Sequence, residues 1–150
     1  MQSSTSSNLS IRYTALSLGV LFLLLGLAGY VPTFVATSGN PTYTPGYGHL
    51  FSIFPTNYFH NAIGILVGTW GIAAFTSLTG SIVFNRIFAI LYGSAVILGL
   101  FPLTNTLFGL TPLYGNNIWL NAIVAAIAFY YGFIKSAEIA PGSTTAQPSV

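Results

Sequence analysis

The sequence predicts an all-α integral membrane protein with four transmembrane helices, arranged as two tandem helical hairpins of the same orientation. Only 3% of its 150 residues are charged, against roughly 25% in an ordinary soluble domain, and 53% are hydrophobic. The mean hydropathy is +0.77. So little charge cannot cover a water-soluble globule, which leaves lipid as the expected solvent. With three Lys or Arg residues in all, no basic cluster for nucleic acid is expected.

Four apolar stretches supply the four predicted spans. They cover residues 13–31, 57–78, 87–103 and 118–134. The first two are long enough for a hydrocarbon core about 30 Å thick, and the last two need their aromatic flanks to reach across it. Together the spans are expected to form one transmembrane domain over residues 12–135.

The segments between and beyond the spans are interpreted from their turn residues and composition. A long outer loop, 32–56, joins the first two spans, and Gly80 with Ser81 marks a tight turn between the second and third. The ends of the chain, 1–11 and 136–150, are rich in Ser, Thr or Pro and are expected to be unstructured.

Three positively charged residues predict the orientation in the membrane. Arg12 precedes the first span, Arg86 opens the third and Lys135 ends the fourth. With four spans, all three lie on the same face of the membrane, and the positive-inside rule makes that face cytoplasmic. Both termini are therefore expected in the cytoplasm.

The two outer connections resemble each other and predict an internal repeat. Three pairs of segments align in the same order: 29–32 with 99–102, 50–55 with 107–112, and 57–63 with 117–123. Matching order and spacing are typical of a duplicated unit. Because both halves are hairpins of the same orientation, the repeat is parallel, with its pseudo-axis along the membrane normal.

Helix packing is expected to depend on small residues. They recur at helical spacing in the second and fourth spans: Gly64, Gly68, Gly71, Ala125, Ala128 and Gly132. Such stripes allow helix backbones to approach closely in lipid, where no hydrophobic force drives helices together. Packing within the bundle is favoured over a dedicated dimer face, which stays open as the alternative.

The candidate site consists of polar side chains in the outer half, His60, Asn61 and Asn121, together with His49 in a Gly-rich loop. His60 suits a hydrogen bond between helix ends better than an axial bond to haem or chlorophyll, because the repeat supplies Leu120 and no second histidine. The repeat-equivalent amides Asn61 and Asn121 are expected to bond to each other or, alternatively, to line a polar vestibule.

Other polar residues have simpler interpretations. Asn57, Asn116 and Asn117 are expected to be helix N-caps, because each stands at the entrance of a span. The chain has no cysteine, and Glu138 is its only carboxylate side chain. Neither a metal site nor a catalytic acid–base pair is expected, so the protein is predicted not to be an enzyme and to need no cofactor.

Three stretches of the chain resemble one family of membrane proteins. They are 54–61, Arg86 with 88–93, and 107–121. In that order they are similar to the bacterial four-span family catalogued as domain of unknown function 4383, over about residues 12–134. The resemblance implies a small bacterial membrane protein with no assigned activity. The family typically carries further histidines where this chain has Gly64 and Asn121.

Three functions remain as hypotheses. The first is a non-catalytic accessory or structural component that packs with other membrane proteins or with itself. The second is a binder of a small apolar ligand, lipid or pigment at the outer leaflet, and the third a transporter or channel, which the lack of charge in the spans disfavours. The expected location is the bacterial inner membrane, or the thylakoid membrane of a cyanobacterium.

Overall fold

The computed structural model of the protein describes residues 2–37 and 46–139. Its main helices are α1 (Gln2–Ala28), α2 (Tyr58–Ala74), α3 (Leu78–Leu100) and α4 (Asn116–Phe129). Helix α4 continues through a π-helical segment, Tyr130–Ile134, into the short α5 (Lys135–Ala137). Between α1 and α2 lie a 3-10 turn at Pro32–Phe34 and the strands β1 (Val35–Ala36), β2 (Gly48–Leu50) and β3 (Phe54–Thr56).

Three helical stretches within the described residues are long and apolar enough to cross a membrane: Thr5–Ala28, Leu78–Leu100 and Asn116–Ala137. Helix α2 has 17 residues and is shorter than these. A mostly helical chain with this length and composition of helices is a membrane protein, because lipid requires each segment to satisfy its own backbone hydrogen bonds.

A small sheet corrects the all-α prediction. The strands pair antiparallel in the order β1-β2-β3, with Val35 opposite Leu50 and His49 opposite Pro55. Each strand has only two or three residues, too few for an alternating pattern to show in the sequence. We call the end of the bundle that carries this sheet and residues 101–115 the sheet end, and the opposite end, with residues 75–77, the turn end.

The helices form two pairs, α1 with α2 and α3 with α4, and α1 meets α3 between the pairs. Aromatic rings fill the contact between α1 and α3. Phe22 lies edge-on to Phe88 with ring centroids 5.2 Å apart, and Phe88 stacks on Tyr92 at 4.1 Å. Phe84 and Phe88 are fully buried, so these rings form the centre of the core.

Glycines bring α1 and α2 into backbone contact. A Cβ atom added to Gly68 would lie 2.4 Å from the backbone nitrogen of Leu23, and one added to Gly26 would lie 2.7 Å from the carbonyl oxygen of Asn61. No side chain fits at these distances. The predicted small-residue stripe of the second span, which includes Gly64 and Gly71, is therefore buried against α1.

Two boundaries differ from the sequence prediction. Helix α1 begins at Gln2, whereas residues 1–11 were expected to be unstructured; fully buried Ile11 ties this segment to the core. The chain turns at 75–77 and not at Gly80 and Ser81. Ser77 caps α3 by accepting a hydrogen bond from the Gly80 amide.

Ser81 lies inside α3, fully buried, and its hydroxyl donates to the carbonyl oxygens of Ala74 and Ser77. The predicted tail also begins later than expected. Residues Lys135–Ala137 are helical, with Ser136 buried, and residues 140–150 lie outside the described part of the chain.

The arginines bind backbone carbonyl groups at the turn end. Nε of Arg12 donates to the carbonyl oxygen of Phe75 at 2.8 Å, and the guanidinium lies over the Phe75 ring. Nε of Arg86 donates to the carbonyl oxygen of Gly132 at 2.7 Å, and its guanidinium lies over the Phe133 ring. Each arginine thus joins the two helices of one pair.

Candidate functional site

Asparagine side chains tie the two helix pairs together at the sheet end. Asn57 Nδ2 donates to the carbonyl oxygen of Leu110 at 2.9 Å, while its Oδ1 caps α2 by accepting from the His60 amide. Asn117 Nδ2 donates to the carbonyl oxygens of Pro55 and Pro112 at 2.7 and 2.9 Å. Each loop therefore depends on an amide from the other half of the chain.

Of the three expected N-caps, Asn57 has this role and the other two do not. The N-cap of α4 is Gly115, whose φ of 65° is in the left-handed region that favours glycine. Asn116 and Asn117 are the first two residues of the helix. Their amides instead reach across to carbonyl groups near β3, that of Asn116 to Ile53 at 3.2 Å.

Asn61 is bonded within its own half of the chain. Its Oδ1 accepts from the Thr56 hydroxyl at 2.5 Å, and its Nδ2 donates to the carbonyl oxygen of Gly29 at 2.7 Å. Both bonds are buried, and they occupy the amide that was expected to pair with Asn121. The predicted pair is wrong, because both ends of the Asn61 amide are already bonded, and its side chain fills the space that a Cβ atom on residue 29 would need.

The side chain of Asn121 faces cavities and makes no hydrogen bond within residues 5–37 and 46–139, whereas the sealed amide oxygens without a partner there are those of Asn8 and Asn85. The exposed fraction of Asn121 is 4%. With Asn61 it lines a small cavity of about 30 Å³, enough for a water molecule. It also lines the larger cavity described below.

His60 joins α2 to the loop before α4. Its Nδ1 is 2.9 Å from the Thr111 hydroxyl, which is itself buried. His49 is in β2, half-buried, where its ring stands edge-on to Tyr47. The Tyr47 hydroxyl shares a short hydrogen bond with that of Tyr114, and burial together with this bond raises the pKa of Tyr114 above its ordinary value.

A cavity of about 330 Å³ opens between α2 and α3 near the sheet end. Its walls are largely apolar, and its polar lining consists of His60, Tyr92, Thr111 and Asn121. Phe59, Ile63 and Leu91, at its edge, are 45%, 39% and 54% exposed. These side chains lie on the outer surface of the helices, so the cavity opens at the side of the bundle between α2 and α3.

The histidines do not form a metal centre in the described structure. Across residues 2–37 and 46–139, no three His, Cys, Asp or Glu side chains come close enough to hold a metal ion.

The sequence prediction missed Thr56, Thr111 and Tyr92. Thr56 and Thr111 come one residue after and one residue before a proline, Pro55 and Pro112. In a loop, such positions predict a turn and give no sign of a buried hydroxyl. Tyr92 is one of many aromatic residues in the spans, and only its position beside the cavity sets it apart.

The fold and this lateral cavity define a multi-helical membrane protein with a candidate pocket for an apolar molecule. Residues 12–134 match the model of a family described as a domain of unknown function, DUF4383. The chain belongs to this family. No curated protein and no solved structure matched the chain.

Proposed function

We propose that the chain spans the bacterial inner membrane, or the thylakoid membrane of a cyanobacterium, four times with both termini in the cytoplasm. All four charged side chains support this orientation, because Arg12, Arg86, Lys135 and Glu138 lie at the turn end. Helix α2 is about 25 Å long, close enough to the bilayer thickness to cross with a modest mismatch.

Two similarities between the halves support the proposed repeat. Arg12 and Arg86 make the same pair of contacts, one with a carbonyl oxygen and one with a phenyl ring, on the second helix of their own hairpin. The aligned loops also share a backbone conformation. Phe51 and Phe108 occupy equivalent positions and both have positive φ, 51° and 56°.

Cysteine labelling tests the topology, because the chain has no cysteine of its own. Thr37 at the sheet end and Thr76 at the turn end are both exposed. In intact cells, a membrane-impermeant maleimide should label Thr37→Cys, and should label Thr76→Cys only after permeabilisation. Labelling of both variants from the same side would contradict the four-span arrangement.

Within this topology, we propose a non-catalytic role: the protein binds a small apolar ligand, lipid or pigment in the outer half of the bilayer. The cavity between α2 and α3 carries the proposal. Its volume of about 330 Å³ lies at the lower end of ligand pockets, which measure about 300–1,000 Å³. Apolar walls with a few polar groups are the usual composition of such pockets.

The structure favours a ligand over the other hypotheses. An accessory component that docks through its small-residue face would need Gly64, Gly68 and Gly71, and α1 already covers them. A partner would therefore have to bind the lipid-facing aromatic side chains. Transport pathways usually contain charged side chains at mid-membrane, and the four charged side chains of this protein all lie at the turn end.

A cavity-filling variant tests the proposal. Ala95 lines the cavity on α3, so Ala95→Phe should fill it, whereas Ile97 on the same helix is 61% exposed and Ile97→Phe should leave it open. Each protein is purified in mild detergent, and the bound molecules are measured by mass spectrometry and visible absorbance. We expect a stoichiometric ligand in the parent and Ile97→Phe, and its loss in Ala95→Phe.

The outcomes separate the possible ligands. Visible absorbance that disappears in Ala95→Phe would identify a pigment, and His60→Ala would then test axial ligation by His60. A colourless ligand lost from the same variant would identify a lipid or a related molecule. Equal ligand content in Ala95→Phe and the parent, or no bound molecule in either, would rule out this function.

A further inference from the structure

We infer that the cavity between α2 and α3 selects a neutral amphiphile with a single apolar chain, whose hydroxyl or carbonyl head binds the Asn121 amide. This inference rests on the proposed function and specifies its ligand. Asn121 is 96% buried, faces the cavity, and its side chain has no hydrogen-bond partner in the described residues. An amide that faces an apolar cavity without a partner is costly, so a ligand that supplies one gains binding free energy.

The second half of the chain provides an internal comparison. A groove of about 590 Å³ lies between α1 and α4, where the proposed repeat places the counterpart of the cavity between α2 and α3. Leu120 and Ile123 line this groove, at the positions equivalent to His60 and Ile63 in the cavity. The groove thus has an apolar side chain where the cavity has a polar one.

The polar side chains of the α1–α4 groove also differ in kind. Ser10 and Thr14 are near the turn end, and their hydroxyls already bind carbonyl oxygens of α1 itself, those of Ser7 and Ser10. In the cavity, by contrast, the Asn121 amide is free to bind a ligand. The two places therefore differ in the kind of polar group that they offer: an unbonded amide in the cavity, and in the groove the hydroxyls of Ser10 and Thr14, which are already bonded within α1.

The charges of the protein specify a neutral head group. Arg12, Arg86, Lys135 and Glu138 all lie at the turn end, so no charged side chain lines the cavity. An anionic head such as a phosphate or a carboxylate would enter this site without a counter-charge, at a high desolvation cost. An amide donates and accepts, which matches a hydroxyl or a carbonyl group.

The open edge of the cavity specifies the apolar part. Phe59, Ile63 and Leu91 border the opening and are partly exposed to lipid. A single chain can extend between them into the bilayer while its head stays at Asn121. The volume of about 330 Å³ limits the enclosed part to a small group.

Photolabelling with matched probes tests this inference. Three tritiated diazirine probes with the same twelve-carbon chain are used, an alcohol, a carboxylate and an alkane, in nanodiscs of phosphatidylcholine. We expect the alcohol to label α2 and α3 about tenfold more than the alkane or the carboxylate. This ratio corresponds to the binding free energy of one hydrogen bond in a membrane. Asn121→Leu should remove this preference and leave alkane labelling unchanged.

A matched variant controls for the loss of an amide. Asn116 is on the same helix, exposed and outside the cavity, so Asn116→Leu should keep the preference for the alcohol. Ligand-free Asn121→Leu should be at least as stable as the parent, because it loses an unpartnered buried amide; a structural role of Asn121 would instead lower stability. If the leucine variant does not fold, Asn121→Ala replaces it in this test, because alanine removes the amide and adds no atoms.

The results distinguish the two proposals. If the alkane and the alcohol label equally, and Ala95→Phe abolishes both, the cavity binds apolar molecules and the inference about the head group is wrong. If Asn121→Leu leaves the preference for the alcohol intact, the amide holds only water in the small cavity. If no probe labels α2 or α3 above the level in Ala95→Phe, the proposed function fails as well.

Discussion

The contact between α1 and α2 makes a direct prediction about Gly68. A Cβ atom at this position would lie 2.4 Å from the nitrogen of Leu23 and 2.7 Å from the carbonyl oxygen of Gly19. Both are backbone atoms of α1, so no side-chain rotation can make room. At Gly93 on α3, an added Cβ would meet no atom within 4 Å. Gly68→Ala and Gly93→Ala therefore form a matched pair of one-methyl insertions.

The geometry sets the size of the effect. Ordinary contacts of a Cβ atom are 3.4–4 Å long, so Gly68→Ala must separate α1 from α2 by about 1 Å. Inserting one methyl group into a tightly packed site costs about 1–3 kcal/mol. Alanine also favours a helix over glycine by about 1 kcal/mol. We expect Gly68→Ala to lower the free energy of unfolding by up to about 2 kcal/mol, and Gly93→Ala to leave it unchanged or to raise it.

Unfolding by sodium dodecyl sulfate in mixed micelles, followed by circular dichroism, measures both variants. Gly68→Ala should unfold at a lower detergent fraction than the parent, and Gly93→Ala at the same or a higher fraction. Equal midpoints for the two variants would refute the backbone contact between α1 and α2.

Three further predictions concern hydrogen bonds and use the same unfolding assay. Asn61→Leu should lower the free energy of unfolding by about 1–3 kcal/mol, because it leaves the buried Gly29 carbonyl group without the amide donor. Ser77→Ala should lower it by about 1 kcal/mol through loss of the α3 cap, and Ser77→Asp should retain the cap. The raised pKa of Tyr114 favours its neutral form in the folded protein, so its contribution to stability is complete below about pH 10 and declines as pH rises further. Tyr47→Phe removes the hydrogen bond and should weaken this decline.

Each of these predictions has a contradictory outcome. Parent-like stability of Asn61→Leu would mean that its two buried bonds are not formed. Equal destabilisation by Ser77→Ala and Ser77→Asp would contradict the capping bond. A parent-like decline of stability between pH 9 and 11 in Tyr47→Phe would show that Tyr47 does not influence the ionisation of Tyr114.

Features that depend on residues close together in sequence were predicted correctly, and features that depend on contacts between distant residues were not. The mostly helical fold, the N-cap role of Asn57 and the family were predicted correctly, because hydropathy, capping and motif order are properties of neighbouring residues. The turn was placed at Gly80 and Ser81, since glycine and serine are usual turn residues. The fold instead buries Ser81 against α2 and turns a few residues earlier.

Three of the four residues of the predicted candidate site, His60, Asn61 and Asn121, do lie near one another and line the same small cavity. His49 lies in β2 and lines neither cavity. The partners of these residues could not be predicted, because repeat alignment gives the height of a residue along its helix and not the direction of its side chain. Asn61 donates to the Gly29 carbonyl group at the end of α1, and Thr111 lies beside His60 although it is 51 residues away in sequence.

By itself, the sequence determined the solvent and the class of protein. Scarce charge and long apolar stretches make burial in lipid the favourable state whatever the arrangement of the helices, because transfer free energy sums over residues. Only the tertiary structure decided which amide faces the cavity without a partner. That outcome depends on the rotation of each helix, which the glycine contacts between α1 and α2 and the phenylalanine core between α1 and α3 set together.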